Sequence, residues 1–280
     1  GCAAVLVVAS GFIAARLPST FFPAIDESME RVYVRLAPGT SLSEATALLA
    51  RMGQALREEL PAGSVELVLT NVGSPNNARS AMNSPNWGPY MGFIRLALTD
   101  SARRGISQDV IADRSREILS RRFPGVECLQ APGGLVASVF ANGYIAPLVV
   151  EVRGDRLEGL DEQARAVADV MRGVAGVRDI RVSLQMDYPE IRVDVDRGSA
   201  GMVGVSARAI GQATLDATLG NINAPSVWVD PNNGQSYYVV TAYDGQALTE
   251  PSMLGALPVR ISDAGKVVTL GSYAAIRRSA

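Results

Sequence analysis

Side chains able to carry out catalysis are scarce in this sequence. Histidine is absent from all 280 residues, so the chain alone cannot form a Ser-His-Asp or Cys-His catalytic set or a His-ligated zinc or iron site. Its acidic residues include no pair whose spacing singles it out for general acid/base work. The two cysteines, Cys2 and Cys128, lie among apolar residues, as small buried side chains do. We therefore predict that the chain is not an enzyme, and we assign it no catalytic residue, metal ligand or cofactor.

Binding of amphiphilic molecules is the chemistry that two alternating segments favour. Residues 29–36 and 92–98 each alternate apolar side chains with aromatic and charged ones, which predicts strands with one face in a core. The expected core set is Val32, Val34, Leu36, Ile94, Leu96 and Leu98. The opposite face then carries Tyr33, Arg35, Phe93 and Arg95, with Leu69, Asn71, Glu127 and Leu129 from neighbouring strands. Such a mixed face suits a groove for amphiphiles, with a solvated face or a subunit contact as the alternatives.

Soft and aromatic side chains in two loops extend this hypothesis. They are Met82, Trp87, Tyr90 and Met91 in a long polar loop, and Phe140 and Tyr144 in a connector rich in Gly and Pro. Adaptable side chains of this kind suit promiscuous binding. They serve equally well as caps over the domain's own core.

The elements that must position this face follow a repeated order. Strand, helix and strand are predicted over 29–36, from Leu42 to about Pro61, and over 65–72, and again over 92–98, 107–123 and 126–130. Two successive β-α-β units of this kind predict a ferredoxin-like sheet with helices on one side. A third unit is predicted as strand 148–153, helix 157–174 and strand 177–182. The fold class is therefore α+β.

The chain changes pattern after Asp187. A strand at 190–195 and a helix capped by Ser206 precede a long β-hairpin, in which Asn233-Gly234 supplies a tight turn. The hairpin carries Trp228, Tyr237 and Tyr238. Because an isolated two-stranded ribbon is marginal in water, we expect another surface to cover these aromatics; folding back onto its own sheet is the alternative. Short strands are predicted at 258–261 and 267–270.

The first residues resemble the end of a membrane-spanning helix. Gly1 to Ala15 carries no charge, and Arg16 and Pro18 follow it. A buried N-terminal helix of a soluble protein is the alternative. The net charge of −2 lacks the broad basic surface that nucleic acid binding requires, so nucleic acid is not an expected partner.

Taken in order, these features resemble the second extracytoplasmic loop of a resistance-nodulation-division (RND) efflux transporter of the hydrophobe/amphiphile, multidrug-exporting branch. The segments that carry the resemblance are Leu17 to Pro23, Val34 to Thr40, Phe123 to Val126, Ile191 to Asp196 and Leu219 to Gly234. No single motif is specific, whereas their order and spacing together are.

The resemblance implies a division into subdomains. Residues 1–23 would form the end of a transmembrane helix and its exit segment, and 24–146 the first porter subdomain. The second porter subdomain would comprise 147–186 and 258–280, with the docking subdomain at 187–257 inserted into it. The family works as a proton-driven homotrimer in the bacterial inner membrane, with this segment in the periplasm beside an adaptor protein and an outer-membrane channel.

The resemblance also implies a cleft between the porter units that admits small amphiphiles, gated by a glycine-containing loop at about Gly73. The expected substrate-binding residues are Tyr33, Arg35, Asn71, Gly73, Ser74, Met82, Phe93, Arg95, Leu129, Phe140 and Tyr144. The expected docking residues are Trp228, Asn233, Gly234, Tyr237 and Tyr238. Two alternatives stay open: an assembly module without its own substrate site, and the metal-ion exporting branch, for which Met29, Met82 and Met91 would be the candidate cluster.

Overall fold

The structure is a computed structural model that describes residues 26–75, 84–134, 144–221, 225–243, 250–261 and 265–279, with positions 5, 9–12, 16, 136 and 139. Its strands are β1 (Met29–Arg35), β2 (Val65–Val72), β3 (Met91–Leu98), β4 (Glu127–Pro132), β5 (Glu190–Val195), β6 (Ser226–Val229), β7 (Ser236–Val239), β8 (Pro258–Ile261), β9 (Val267–Thr269) and β10 (Ala274–Ser279). Its helices are α1 (Leu42–Glu59), α2 (Gln108–Arg122), α3 (Leu157–Arg172), α4 (Arg197–Met202), α5 (Ala207–Leu219) and α6 (Pro251–Leu254), with a 3₁₀ turn at Leu270–Ser272.

The first four strands form one antiparallel sheet in the order β2-β3-β1-β4. With α1 between β1 and β2, and α2 between β3 and β4, this is the ferredoxin-like arrangement. The predicted α+β class and the predicted order of the first two units are confirmed.

The main core lies between this sheet and its two helices. All six side chains expected there from the alternation are buried: Val32, Val34, Leu36, Ile94, Leu96 and Leu98. From α1 they meet Ala45, Leu49, Met52 and Leu56, and from α2 Ile111, Ile118 and Leu119. One face of the sheet is therefore buried in the core, and the opposite face points away from it.

Both helices begin where the sequence predicts. The Ser41 hydroxyl accepts the Glu44 N–H, and the Glu44 carboxylate accepts the Ser41 N–H at 3.1 Å, which together make a capping box. Ser107 caps α2 by accepting the Val110 N–H. The predicted helices are confirmed because local capping and helical periodicity agree.

The third unit is only partly as predicted. Helix α3 forms, but the strands predicted at 148–153 and 177–182 are wrong, because neither segment has strand structure. An apolar run becomes a strand only when it finds a backbone partner. Leu148 is 59% exposed, and Asp179 and Arg181 instead contact strand β4 through their side chains. The sequence pattern alone did not reveal that missing partner.

A second core forms around residues 190–279. Strand β10 pairs with β5, and β8 pairs with β9. The buried residues at its centre are Ala200, Val205, Ile210, Ala217, Leu254, Leu257 and Leu270. In the described contacts, residues 258–279 therefore pack with the segment predicted to dock. The division into porter and docking subdomains remains a prediction.

The predicted membrane-helix end lies largely outside the described residues, because only positions 5, 9–12 and 16 of the first 25 are described. Among the helices of the described ranges, none combines the length and the apolar character that a membrane span requires.

Candidate functional site

The sheet face opposite the main core carries the mixed side chains that the sequence predicts. The pairing register places Tyr33 opposite Phe93 on β3 and opposite Leu129 on β4. One pair further along, Arg31 lies opposite Arg95, and Leu69 of β2 lies opposite Arg95 on its other side. These residues share one face because successive side chains of a strand point to opposite sides. We call this surface the aromatic–arginine face.

A small apolar cluster forms its centre. Tyr33, Phe93 and Leu129 are each less than a tenth exposed, and the rings of Tyr33 and Phe93 lie 6.4 Å apart, tilted by 59°. Ile145 and Ala146 of the connector pack against this cluster. Its side chains are therefore preassembled and covered by a loop, which would have to move before a molecule could reach the rings.

Arginine side chains border this cluster. The guanidinium carbon of Arg31 lies 5.7 Å from the centre of the Tyr33 ring and 5.2 Å from that of Phe93. Its Nη1 donates a hydrogen bond to the Tyr33 hydroxyl at 3.1 Å. Stacking of a cation on two rings holds the guanidinium beside the sheet. The period-two pattern places Arg31 on this face, but its type and spacing did not single it out as a site residue.

A carboxylate held by two arginines lies at the β4 end of the same face. Glu127 Oε2 accepts from Arg35 Nη2 at 2.6 Å, and Glu127 Oε1 accepts from Arg181 Nε at 2.6 Å. Burial lowers the pKa of Arg181, and the Glu127 charge opposes that shift. Both arginines are largely enclosed, with 15% and 10% of their side chains exposed. We call these three residues the Glu127 network.

The Glu127 network joins the segment 178–185 to the sheet. Arg35 Nη1 donates to the Val182 carbonyl at 2.8 Å, and Arg181 Nη2 donates to the Tyr33 carbonyl at 3.0 Å. Asp179 accepts the backbone N–H of Gln130 on the edge strand β4 at 3.2 Å. These contacts are long-range, and no local signal in the sequence reveals them.

A cleft of about 360 Å³ opens between this attachment and helix α3. Its charged lining consists of Arg35, Glu127, Arg165, Arg172, Arg181 and Asp187. The lining is mainly polar, so the cleft adds charge recognition to the apolar cluster beside it.

The other expected binding residues that the structure describes are not members of the apolar cluster. Asn71 lies opposite Phe93 at the β2 edge and accepts a hydrogen bond from Asn86 Nδ2 at 3.0 Å. Gly73 has φ +83° and donates its N–H to the Met91 carbonyl at 2.8 Å, so a turn explains this glycine without gating. Ser74 is exposed beside it, and the Tyr144 hydroxyl donates a hydrogen bond to the Glu151 carboxylate at 2.9 Å. Met82 and Phe140 lie outside the described residues.

The candidate methionine cluster finds little support in the described contacts. Met91 packs into the main core, Met29 is half-buried at the start of β1, and Met82 is not described. Within the described ranges, no group of three or more His, Cys, Asp or Glu side chains could hold a metal ion. Burial raises the pKa of the Cys128 thiol to about 12, which disfavours a thiolate ligand.

The hairpin β6–β7 extends away from the second core. Trp228 lies opposite Tyr237, with ring centres 5.8 Å apart, and Tyr238 is 75% exposed. In the turn, Gly234 has φ +70° and donates to the Asp230 carbonyl at 2.8 Å, while the Asn233 side chain accepts the Gln235 N–H. In the part of the chain that the structure describes, β6 and β7 pair only with each other.

Solved structures of two crystal forms of a heavy metal efflux pump have a fold similar to that of this chain. A heavy metal efflux pump determined by X-ray crystallography has a similar fold, with a TM-score of 0.70 and 24% identity over 100% of this chain and 28% of that one. A second crystal form of a heavy metal efflux pump gives a TM-score of 0.66 at 22% identity. The fold of this chain is therefore similar to that of a segment of these pumps.

A match between the sequence and a protein-family model identifies the family of this chain. The model of the AcrB/AcrD/AcrF family matches residues 1–280. The chain belongs to this family of RND efflux transporters, which are transporters and not enzymes.

Curated relatives share about a quarter of their residues with this chain. The cobalt-zinc-cadmium resistance protein CzcA of Cupriavidus metallidurans is 26% identical over 73% of this chain and 19% of its own length. The nickel-cobalt-cadmium resistance protein NccA of Alcaligenes xylosoxydans xylosoxydans is 24% identical over 86% and 22%. The cation efflux system protein CusA of Escherichia coli is 24% identical over 75% and 21%. This chain thus spans about a fifth of the length of these relatives.

Proposed function

We propose that this chain is the periplasmic porter and docking portion of a proton-driven efflux pump that captures small amphiphiles at the aromatic–arginine face. One observation carries the proposal: a preassembled cluster of Tyr33, Phe93 and Leu129 lies beside a charged cleft of about 360 Å³. Apolar lining with a few convergent charged groups is what an amphiphile site requires.

The complete pump would be a homotrimer in the bacterial inner membrane, and would contact a periplasmic adaptor and an outer-membrane channel. The exposed aromatics of the hairpin support a protein contact there, because a two-stranded ribbon gains stability when another surface covers it. The residues proposed for this contact are Trp228, Asn233, Gly234, Tyr237 and Tyr238.

Metal-ion export is the second candidate. The names of CzcA, NccA and CusA favour it, since all three are described by cations or metals. The described residues of this chain favour an organic cargo instead. The arginines of the aromatic–arginine face repel a metal cation, and the described ranges hold no cluster of metal-binding side chains.

The experiment uses the complete reading frame that contains this chain, expressed in a bacterial host without its own exporters. Accumulation of a fluorescent amphiphilic dye and tolerance of zinc, cobalt and nickel salts are measured in parallel. We expect Phe93→Leu and Phe93→Ala to raise dye accumulation progressively, with metal tolerance unchanged. Tyr243→Ala, at an exposed ring of the docking segment, is the matched control.

Membrane levels of each variant are compared so that a loss of folding is recognised. A loss of metal tolerance in the Phe93 variants, with dye accumulation equal to that of the parent, would establish metal export and reject the amphiphile proposal. If the parent protein changes neither dye accumulation nor metal tolerance in this host, the result would favour an assembly module without its own substrate site.

A further inference from the structure

Two arginines lie directly opposite each other on the aromatic–arginine face. Arg31 of β1 and Arg95 of β3 are register partners in an antiparallel pair. Side chains in this relationship have Cβ atoms about 5 Å apart, and like charges placed so are destabilising. Their other register partners on this face are Ala131 and Leu69, which supply no compensating charge.

Neither guanidinium has a counter-ion in the described residues. The Nε atoms of Arg31 and Arg95 are both buried without a hydrogen-bond partner. The Tyr33 hydroxyl is the side-chain acceptor of Arg31, and no described residue accepts a side-chain hydrogen bond from Arg95. Glu127, on the same face, is held by Arg35 and Arg181.

Three stretches that lie wholly or mostly outside the described residues carry no acidic side chain. Residues 17–25, 76–83 and 135–143 contain no Asp or Glu. Buried donors without protein partners are costly, and in native structures a water, an ion or a ligand commonly completes their hydrogen bonding. The arginine pair therefore fits an anion from outside the chain.

Apolar side chains continue from this pair along the same face. Leu69 is the register partner of Arg95 and is 44% exposed, and Leu67, two residues earlier on β2, is 58% exposed. Phe93 lies two residues before Arg95 on its own strand, within the buried cluster that the connector covers. A charged group seated between the arginines would thus have exposed apolar surface on the β2 side for an attached chain or ring.

We propose that this site selects amphiphiles with an anionic head group, a carboxylate, sulfonate or sulfate. The head group lies between Arg31 and Arg95, whose planar guanidiniums donate paired hydrogen bonds to such oxygens. The apolar part lies over the exposed Leu67 and Leu69. This inference rests on the proposed capture of amphiphiles and adds the charge of the cargo.

The test is calorimetric titration of the full chain with dodecanoate and with dodecyltrimethylammonium, both below their micelle concentrations. The two probes share an alkyl chain length and differ in the sign of the head group. We expect dodecanoate to bind at least about tenfold more tightly, and Arg95→Gln to weaken it about tenfold with little change for the ammonium probe. Arg95→Lys keeps the charge without the planar fork and should give an intermediate affinity.

Arg114→Gln is the matched control, because it removes one exposed arginine from α2 on the other side of the same sheet. It should leave both affinities unchanged. Thermal unfolding of each variant verifies the fold. Equal affinity for the two probes, unaltered by Arg95→Gln, would overturn the anion selectivity and leave amphiphile capture standing. Absence of binding by either probe to the parent chain would overturn both.

Discussion

Asn221 and Thr241 are hydrogen-bonded to each other across the base of the β6–β7 hairpin. The Asn221 backbone N–H donates to the Thr241 carbonyl at 3.0 Å, and the Thr241 N–H donates to the Asn221 side-chain oxygen at 2.7 Å. The Asn221 amide also donates to the Val239 carbonyl at 3.3 Å. One asparagine, two residues after the end of α5, thus connects the segment that enters the hairpin with the segment that leaves it.

Replacing this asparagine should loosen the hairpin without unfolding the second core. Asn221→Ala removes the two side-chain hydrogen bonds, worth about 1 kcal/mol each in local stability. We expect faster amide exchange in β6 and β7 and unchanged exchange in β5 and β10. Hydrogen exchange read by mass spectrometry measures this difference. Gln163→Ala, on the exposed surface of α3, is the control, and equal exchange of the hairpin in the two variants would contradict the prediction.

The Glu127 network should determine how firmly residues 178–185 attach to the first sheet. Glu127→Gln leaves two enclosed arginines without their carboxylate, so we expect this segment to lose about 2 kcal/mol of local protection. Limited proteolysis near Arg178 and Arg181 measures the change. Asp194→Asn breaks the exposed pair with Arg192, which is worth well under 1 kcal/mol, and should not alter cleavage there. Equal cleavage of the two variants would show that the network is not the attachment.

Glu30 makes stability depend on pH. It is 2% exposed and accepts hydrogen bonds from Gln108 at 2.7 Å and Gln130 at 3.3 Å, and burial raises its pKa above the ordinary value of 4.5. A carboxyl group whose pKa is raised by folding favours the native state when protonated. Its contribution is therefore lost as pH rises from about 4.5 through the raised value.

Glu30→Gln should consequently raise the melting temperature at pH 7 and have little effect at pH 4. Thermal denaturation at the two pH values measures the difference. Glu66→Gln, at an exposed carboxylate on β2, should change neither melting temperature appreciably. A gain for Glu30→Gln that is as large at pH 4 as at pH 7 would mean that Glu30 is not the titrating group.

The arginine pair should lower the stability of the chain when no ligand is present. Arg95→Gln removes a like charge opposite Arg31 and a buried Nε without a partner, so we expect unfolding of the variant to require about 0.5–1 kcal/mol more free energy. Denaturant titration in low salt measures this gain. Arg114→Gln, at the exposed surface of α2, should stay within about 0.5 kcal/mol of the parent. Destabilisation by Arg95→Gln would show that Arg95 has a structural partner.

Local signals were enough to predict most of the first sheet. The alternation around Val32 and Ile94 predicted which face is buried, and the helical periodicity from Leu42 and over 107–123 predicted the two helices. Both depend on periods of two and 3.6 residues, which a sequence displays directly. The hairpin was also predictable from a local signal, because Asn233-Gly234 favours the tight turn that joins its two strands.

Relationships between distant segments were not predictable. The alternation at 177–182 resembles a strand, but that segment meets β4 through Asp179 and Arg181 side chains, and no local pattern records such a choice. The opposition of Arg31 and Arg95 depends on the register between β1 and β3, in which a shift of one residue would reverse every side chain. The candidate site was therefore predictable as a face and not as a set of contacts.

Because residues 178–185 are attached to the sheet by side chains, single substitutions can alter this junction. Backbone pairing between strands fixes two segments at a set spacing and survives most substitutions, because every residue contributes the same groups. Here the junction depends on a few long side chains, Arg35, Arg181 and Glu127 among them. Single amino-acid replacements can stiffen or relax this junction while the sheet and α3 keep their own folds.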